Sequence, residues 1–580
     1  MTEDIVNDIL DSEGNLKPGF SGIGKLRGKT DYTKDEETVL KHFFTNTHSN
    51  VYCATDNMPG ELWALIMGQY ARSSMTGRDR LLKLFTDMEE KGEAISVSEL
   101  AEMIRSGRDV AGALQAYLNK AGNFIEIYGV KYGHASLRDS GVIRICFEGV
   151  SQRATKFLES AREGAYQEQS TRAIPYEMEN LGAPYEIRDT KYEIIIHELD
   201  EKLIELYNKI YNKLIVYLPS KFAHLRAKAD EKLASELGRD DVTITDREWS
   251  SIIAAKAFDV ARYLLPQNMT TSLGITLNTR RFQDKLTEWQ SSDIMEMQVL
   301  GKVAQVESMK ISPTLMKYGN KSPYHVKIPS ALKALNKKFV VNNKACAAFP
   351  YTHYDVSSKM ISAPDDLQEL VLASILLNGS DGSVSMDEFK QIVGNMSFDE
   401  KREVAESVAS DKPSHDIFSK TMECGSVIFE RVYDIGAFRD LQRQRGDRQQ
   451  FNRYSVIGYN MPKEVAEIGL KAEFVTLMNE VKNVYDMMCE EGIAAAEYVP
   501  VMANVLRHVV TKDPVQCFYE AKLRAQPAGI DSYRSIAQQE ITQLLDVMPV
   551  FKGLVPYDAE YYNLGRLEET VNGKLRKHKK

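Results

Sequence analysis

The chain has 580 residues, 43% of them hydrophobic and 27% charged, with a formal net charge of −9. That length predicts two to four domains of soluble globular composition, and the acidic balance excludes a chain that coats nucleic acid nonspecifically. No apolar run approaches the roughly 20 residues of a membrane span, which argues against a membrane partner.

In chain order, residues 1–30 are polar and glycine-containing and read as a flexible lead-in. Their acidic start lacks a secretion signal. The pattern is helical from Leu62 to Phe85, with a break at ARSSMTG. Gly141 to Val150 alternates β-branched and polar residues, so it reads as a strand, and it runs into a helix-like stretch, SQRATKFLESAR. An Arg/Gln-rich loop with a proline follows, QEQSTRAIP. Residues of about 203–246 are amphipathic and charged, and predict added surface helices. AFDVARYLLP then reads as a helix leading to a proline.

The same succession recurs later: a strand–helix passage from Gly425 to Arg445, a loop RQQFNRYSVIGYNMP, and EEGIAAAEYVP. Self-similarity on this scale predicts a tandem duplication of a whole domain. The expected domains are 31–330, with the helical insertion at about 203–246, and 331–565, followed by a solvated basic tail at 566–580. Six cysteines are scattered without a CxxC pair, which fits reduced cytoplasmic thiols better than zinc or disulfides. Residues 381–389 imitate half of an EF-hand loop, but Leu377 and Gly379 stand where calcium ligands are needed.

The sharpest chemical signal is Glu168-Gln-Ser170-Thr-Arg172, preceded by Arg162. In an extended segment a carboxylate, a hydroxyl and a guanidinium at alternate positions project to one side, a set that suits a nucleotide monophosphate. Taken alone, the set also suits a surface turn with a Glu–Arg pair.

With its context, the segment SAREGAYQEQSTR resembles the signature RHRxxSxNExSxR of the flavin-dependent thymidylate synthases. Glu168, Ser170 and Arg172 match that family's substrate-binding positions. Ser160 and Ala161 replace the first two residues of RHR, leaving Arg162 of the flavin-contacting set. Downstream, ARYLLPQNMTTSLGITLNTRRF resembles the family's ARxVLP…T…NAR block. Arg262 falls on the arginine that reaches the substrate phosphate, and Asn278 on a flavin contact. Ser74 in ARSSM and His134 match further flavin contacts.

In the second half, RQR (Arg443, Gln444, Arg445) resembles RHR, and Leu523-Arg524 matches a closing Leu-Arg missing from the first half, where Trp289 stands. Arg453 is the nearest match to the substrate arginine there, and Ala496 stands in line with Arg262. The losses of the two halves are complementary.

The resemblance implies an α+β fold of two fused, diverged copies, helix-rich with small sheets. It implies a dTMP-forming enzyme using FAD, with NADPH and methylenetetrahydrofolate as co-substrates and a dUMP-like nucleotide as substrate. Arg172 and Arg262 are the expected catalytic arginines. Glu168, Ser170 and Arg524 join them in substrate binding, and Ser74, His134, Arg162, Glu168, Asn278, Arg443 and Arg445 in cofactor binding. A homodimer of the fused chain would imitate the family's tetramer. Two alternatives stay open: a flavin enzyme acting on another uridine nucleotide, and a non-catalytic nucleotide- or flavin-binding relative.

Overall fold

The structure is a computed structural model that describes residues 31–47, 52–70, 75–131, 135–172, 175–341, 350–410, 412–413, 416–450 and 453–578. The expected lead-in at 1–30, Ser74 and His134 lie outside the described residues.

Helices dominate. α1 (Lys34–Phe43), α2 (Gly60–Tyr70), α3 (Gly77–Glu89), α4 (Val97–Arg105) and α5 (Ala111–Phe124) come first. β1 (Val142–Ser151), α6 (Gln152–Leu158) and β2 (Ala165–Glu168) follow, then α7 (Lys191–Lys221), α8 (Ala223–Leu237) and α9 (Asp246–Ala261). β3 (Thr270–Asn278) leads to α10 (Thr279–Gln290) and α11 (Met295–Met309). The second half opens with β4 (Ser357–Ser362), α12 (Leu367–Asn378), α13 (Met386–Asn395) and α14 (Phe398–Ala409). It continues with β5 (Val427–Asp434), α15 (Ile435–Leu441), β6 (Arg448–Gln450) and α16 (Lys471–Glu490). β7 (Val505–Lys512), α17 (Pro514–Arg524), α18 (Asp531–Val547) and α19 (Gly565–His578) complete it.

The chain divides into two compact units, each assembled from non-contiguous segments: residues 1–146, 163–167 and 274–334 in one, and 147–162, 168–273 and 335–580 in the other. β1, β2 and β3 form a sheet in the order β1–β3–β2, and the chain passes between the units within each of these strands. In the first unit, α1 to α5 close around Phe43, Leu65, Leu81, Phe85 and Tyr117, all essentially removed from solvent. The start of α4 shows why the chain turns helical there: Ser96 and Glu99 form a reciprocal capping box ahead of an apolar stripe.

The second unit carries an antiparallel sheet in the order β4–β5–β7–β6. Val427, Phe429 and Val510 of this sheet pack with Phe518 of α17 and Ile541 and Leu544 of α18. The strand and helix expected at Gly425 to Arg445 are β5 and α15. Near the imitation calcium loop, Ser385 and Glu388 form a capping box that starts α13.

Two expectations need correcting. The insertion at 203–246 forms helices, yet α7 is more than a surface addition: it buries Leu203, Tyr207, Ile210 and Leu214 and packs on α9 and α16. The expected solvated tail is the helix α19, because Leu567, Val571 and Leu575 recur every fourth residue and bury one stripe. It packs on α8 and α9, with a Lys232–Glu568 ion pair to the first at 2.6 Å and a Lys574–Glu248 ion pair to the second at 2.9 Å.

Candidate functional site

Two strand–helix junctions of the second unit are built alike. Ser151 closes β1 and caps α6, its hydroxyl accepting from the Ala154 N–H; Asp434 closes β5 and caps α15, accepting from the Ala437 N–H. Gln152 and Arg153 N–H donate to the Met269 and Gln267 carbonyls, while Ile435 and Gly436 N–H donate to those of Asn504 and Met502. The two turns receiving these bonds pair with each other. Met502 N–H donates to Leu265 O, and Gln267 N–H to Pro500 O. At the far end, Gln442 Nε2 donates to the Lys156 carbonyl at 2.6 Å, so α6 and α15 meet.

Glu168 sits between these helices with its side chain 2% exposed. One carboxylate oxygen accepts from Gln152 at 2.8 Å and Arg439 at 2.9 Å. The other accepts from Lys156 at 2.7 Å and Arg443 at 3.0 Å. Burial alone would push this carboxyl up; Arg439, then Lys156 and Arg443, override it and hold it well below the usual carboxylate range. Lys156 also pairs with Glu159 at 2.9 Å, and Arg439 donates to Thr171 Oγ1 at 2.8 Å.

The strand ends at Glu168, so the expected one-sided display of 168, 170 and 172 is not what forms. Ser170 is exposed and its hydroxyl accepts from the Arg172 N–H at 3.3 Å, which turns the chain. Arg172 departs toward α9 and grips Asp259 with two bonds of 2.5 and 2.6 Å, with a third donated to the Ala528 carbonyl at 3.3 Å.

Arg262 is the unusual member. It is 2% exposed, and among the described residues it makes no ion pair and one long hydrogen bond, 3.5 Å to the Gly436 carbonyl. Its Nε is buried without an acceptor. Burial pushes its pKa down, with Asp259 and Asp440 opposing. Asp440 faces Arg524 at 3.6 Å and Arg443 at 4.0 Å; with the Gln444 amide turned so that its oxygen faces Arg524, the Arg524 Nε donates to it at 2.8 Å. The cluster thus holds six basic groups (Lys156, Arg172, Arg262, Arg439, Arg443, Arg524) and five acidic ones (Glu159, Glu168, Asp259, Asp434, Asp440), an excess of one positive charge.

The matching bonds also correct an alignment. Aligning the prolines of the two halves sets Ala496 against Arg262. The hydrogen bonds instead pair Gln267 with Met502, one residue further along, and so pair Arg262 with Glu497. Glu497 is buried and pairs with Arg153 at 2.7 Å and Arg453 at 3.7 Å. Where the first junction has an unpaired cation, the second has a satisfied acid.

Among the residues expected at the site, Glu168, Arg172, Arg262, Arg443 and Arg524 therefore converge. Arg162 donates to the Glu159 and Arg443 carbonyls at 3.1 and 2.8 Å, and Arg445 is exposed. Asn278 belongs to the other unit, where its side-chain oxygen caps α10 by accepting from the Arg281 N–H. Lys156, Thr171 and Asp259 were not singled out from the sequence. Matched junction by junction, Lys156 stands where α15 has Arg439, a signal that aligning the halves from their strand ends would expose.

Residues 77–299 match the family described as thymidylate synthase complementing protein. The resemblance read from the motifs holds there. Along nearly its whole length the chain is similar to proteins named UPF0159: 24% identical to one from Chlamydia muridarum, covering 94% of this chain and 99% of that protein. A relative from Thermoplasma acidophilum is 24% identical over 76% of this chain and 90% of its own. Among solved structures, a UMP/dUMP methylase PolB from Streptomyces cacaoi bound with 5-Br dUMP is 14% identical with a TM-score of 0.29, covering 35% of this chain and 96% of that one.

Proposed function

We propose that the chain is a uridine-nucleotide methylase of the flavin-dependent thymidylate synthase type, acting on dUMP with FAD, NADPH and methylenetetrahydrofolate. The observation that carries this reading is Arg262, a buried guanidinium without an ion pair among the described residues, inside a cluster with one surplus positive charge. Burying a charge unpaired is costly, and a phosphate monoester, at about −1.5 to −2 near neutral pH, would neutralise the surplus.

In this reading Arg262 and Arg172 hold the nucleotide phosphate, and Ser170 donates to it from the exposed turn. Glu168 aims Arg439 and Arg443, and Arg524 lies beside them through Asp440. Fixed arginines in a partly dry site stabilise negative charge that develops on the pyrimidine. Flavin fits in part. Ser160 and buried Ala161 offer no pair of charged donors, and Arg162 is engaged by two carbonyls. Arg443 and Arg445 remain exposed enough to meet a ligand, while Asn278, Ser74 and His134 match family positions in the sequence alone. When bound, the flavin would supply the redox chemistry.

The like junctions, and the shared order of β1–β3–β2 and β5–β7–β6, support two fused copies of one domain. Glu497 opposite Arg262 supports one phosphate site for the pair, and a homodimer of chains would then carry two. The test is to incubate the full chain with FAD, NADPH, methylenetetrahydrofolate and either dUMP or UMP, and to follow the pyrimidine by mass spectrometry. Methylated dUMP is the expected product. Methylation of UMP alone would move the substrate to another uridine nucleotide. Nucleotide binding without product would make the chain a non-catalytic relative.

A further inference from the structure

The second unit holds a buried set of charges that the nucleotide site does not use. Arg431 of β5 and Lys512 of β7 face Glu520 of α17, Glu540 of α18 and Asp447, the residue before β6, and none of the five side chains is more than 3% exposed. The glutamates take the close contacts. Arg431 donates to Glu540 at 2.6 and 2.9 Å and to Glu520 at 2.7 Å, and Lys512 donates to both glutamates. Asp447 has only distant partners. One oxygen lies 3.5 Å from Arg431 and 3.8 Å from Lys512 and accepts from Gln449 Nε2 at 3.3 Å; the other is buried without a donor among the described residues.

Three carboxylates thus share two cations, and an uncompensated charge is costly in so dry a place. The other titratable groups at the cluster add none. Burial, then Arg431, pushes the pKa of His508 down to about 4, and burial pushes those of Tyr433 and the Cys517 thiol up. Asp447 restores the balance by keeping a proton: burial, then Glu520, raises its pKa to about 7 against the pull of Lys512 and Arg431.

The same residue ends the turn that carries Arg443 and Arg445. Upstream, Arg443 donates to Glu168 at 3.0 Å and its carbonyl accepts from Arg162 at 2.8 Å. Gly446 lies against α17, where an added Cβ would run into Gln516 Oε1. Downstream, Gln449 donates to the Leu441 carbonyl at 3.2 Å, and Arg448 to Gln450 pair with Thr511 to Val509 of β7.

We propose that Asp447 is a positioning residue for this turn, seating Arg443 and Arg445 while it is protonated and releasing them when it is ionised. That the turn serves dUMP or flavin rests on the methylase reading; its seating does not. Released into water, the carboxyl loses its proton near pH 4, whereas the seated one keeps it to about pH 7. The seated turn is therefore favoured most below about pH 4, loses up to about tenfold per pH unit between about 4 and 7, and is indifferent to pH above that.

The experiment is hydrogen exchange at the amides of residues 446–450 in the ligand-free full chain, from pH 5 to 8, each rate divided by its intrinsic value at that pH. In the wild type the ratio should rise by about 100-fold between pH 5 and 7 and then level off. In Asp447→Asn, neutral throughout, it should change by less than about threefold. Glu520→Gln leaves two carboxylates for two cations and should flatten the profile too, so it decides if Asp447→Asn does not fold. At pH 7.5, saturating dUMP or FAD should lower the wild-type ratio about tenfold or more. A flat wild-type profile, or the same rise in both variants, overturns the seating. Bound dUMP and FAD that leave the ratio unchanged overturn its link to the ligand. Failure of dUMP and FAD to bind at all, read by calorimetry, would instead sink the methylase reading and leave the seating standing.

Discussion

Arg262→Met separates a ligand-holding arginine from a structural one by the sign of its effect on stability. Methionine keeps the length of the side chain and removes the charge. In the ligand-free protein the guanidinium has, among the described residues, one 3.5 Å hydrogen bond and no ion pair, so little is lost and a desolvation cost is relieved. Exchanging buried charge for apolar volume is neutral to stabilising by about 1–4 kcal/mol, and about 2 kcal/mol is a reasonable centre here because Asp259 and Asp440 already offset part of the cost. With an m-value of about 3 kcal/mol/M, the urea midpoint should rise by about 0.7 M. The assay is urea unfolding in phosphate-free buffer, read by tryptophan fluorescence; Trp249 lies on α9, the helix that ends just before Arg262. Affinity for dUMP should fall about 10- to 100-fold, the worth of charge-assisted hydrogen bonds of about 1.5–3 kcal/mol. A lower midpoint without ligand, with dUMP affinity kept, would refute the reasoning and make Arg262 a structural cation.

Other outcomes follow from the same structure. Glu168→Gln leaves Lys156 and Arg439 buried with too little negative charge, and should cost about 3–5 kcal/mol by thermal or urea unfolding. Because the folded pKa of Glu168 is depressed, its contribution is present above about pH 4.5 and is lost as pH falls below that; the gap between wild type and variant should narrow there. Asp200 has the opposite sign. Burial pushes its pKa up to about 7, with the Asn268 amide opposing. The folded state then holds a proton that the unfolded chain releases near pH 4, so stability falls as pH rises from about 4 to 7. Asp200→Asn should escape this fall and be more stable at pH 8.5 by up to about 4 kcal/mol, but not at pH 4, in paired thermal melts. Val571→Asp places a charge in the fully buried stripe of α19 and should release that helix, exposing a protease site near residue 565; an unchanged digestion pattern would deny that α19 is packed.

Much of this was legible from local rules. The alternation from Gly141 to Val150 reads as β1 and runs into α6, and the recurring strand–helix passage from Gly425 to Arg445 is β5 and α15. What local rules missed was set by long-range partners. The segment at 168–172 reads as extended, but Glu168 finds Arg439 and Arg443, 271 and 275 residues away, while Ser170 turns the chain so that Arg172 reaches Asp259. Glu497 was hidden by its neighbour Pro500, because aligning the two prolines shifts the halves by one residue. Leu567, Val571 and Leu575 carry a readable helical stripe, yet the basic residues that follow invite the reading of a solvated end.

The central claim is that the chain binds a uridine monophosphate at one Arg262-centred site. Calorimetric titration of the ligand-free full chain with dUMP tests it most directly. The expected result is saturation at one nucleotide per chain, displaced by UMP or phosphate and lost in Arg262→Gln. No saturable binding at millimolar dUMP, or binding indifferent to Arg262, would contradict it.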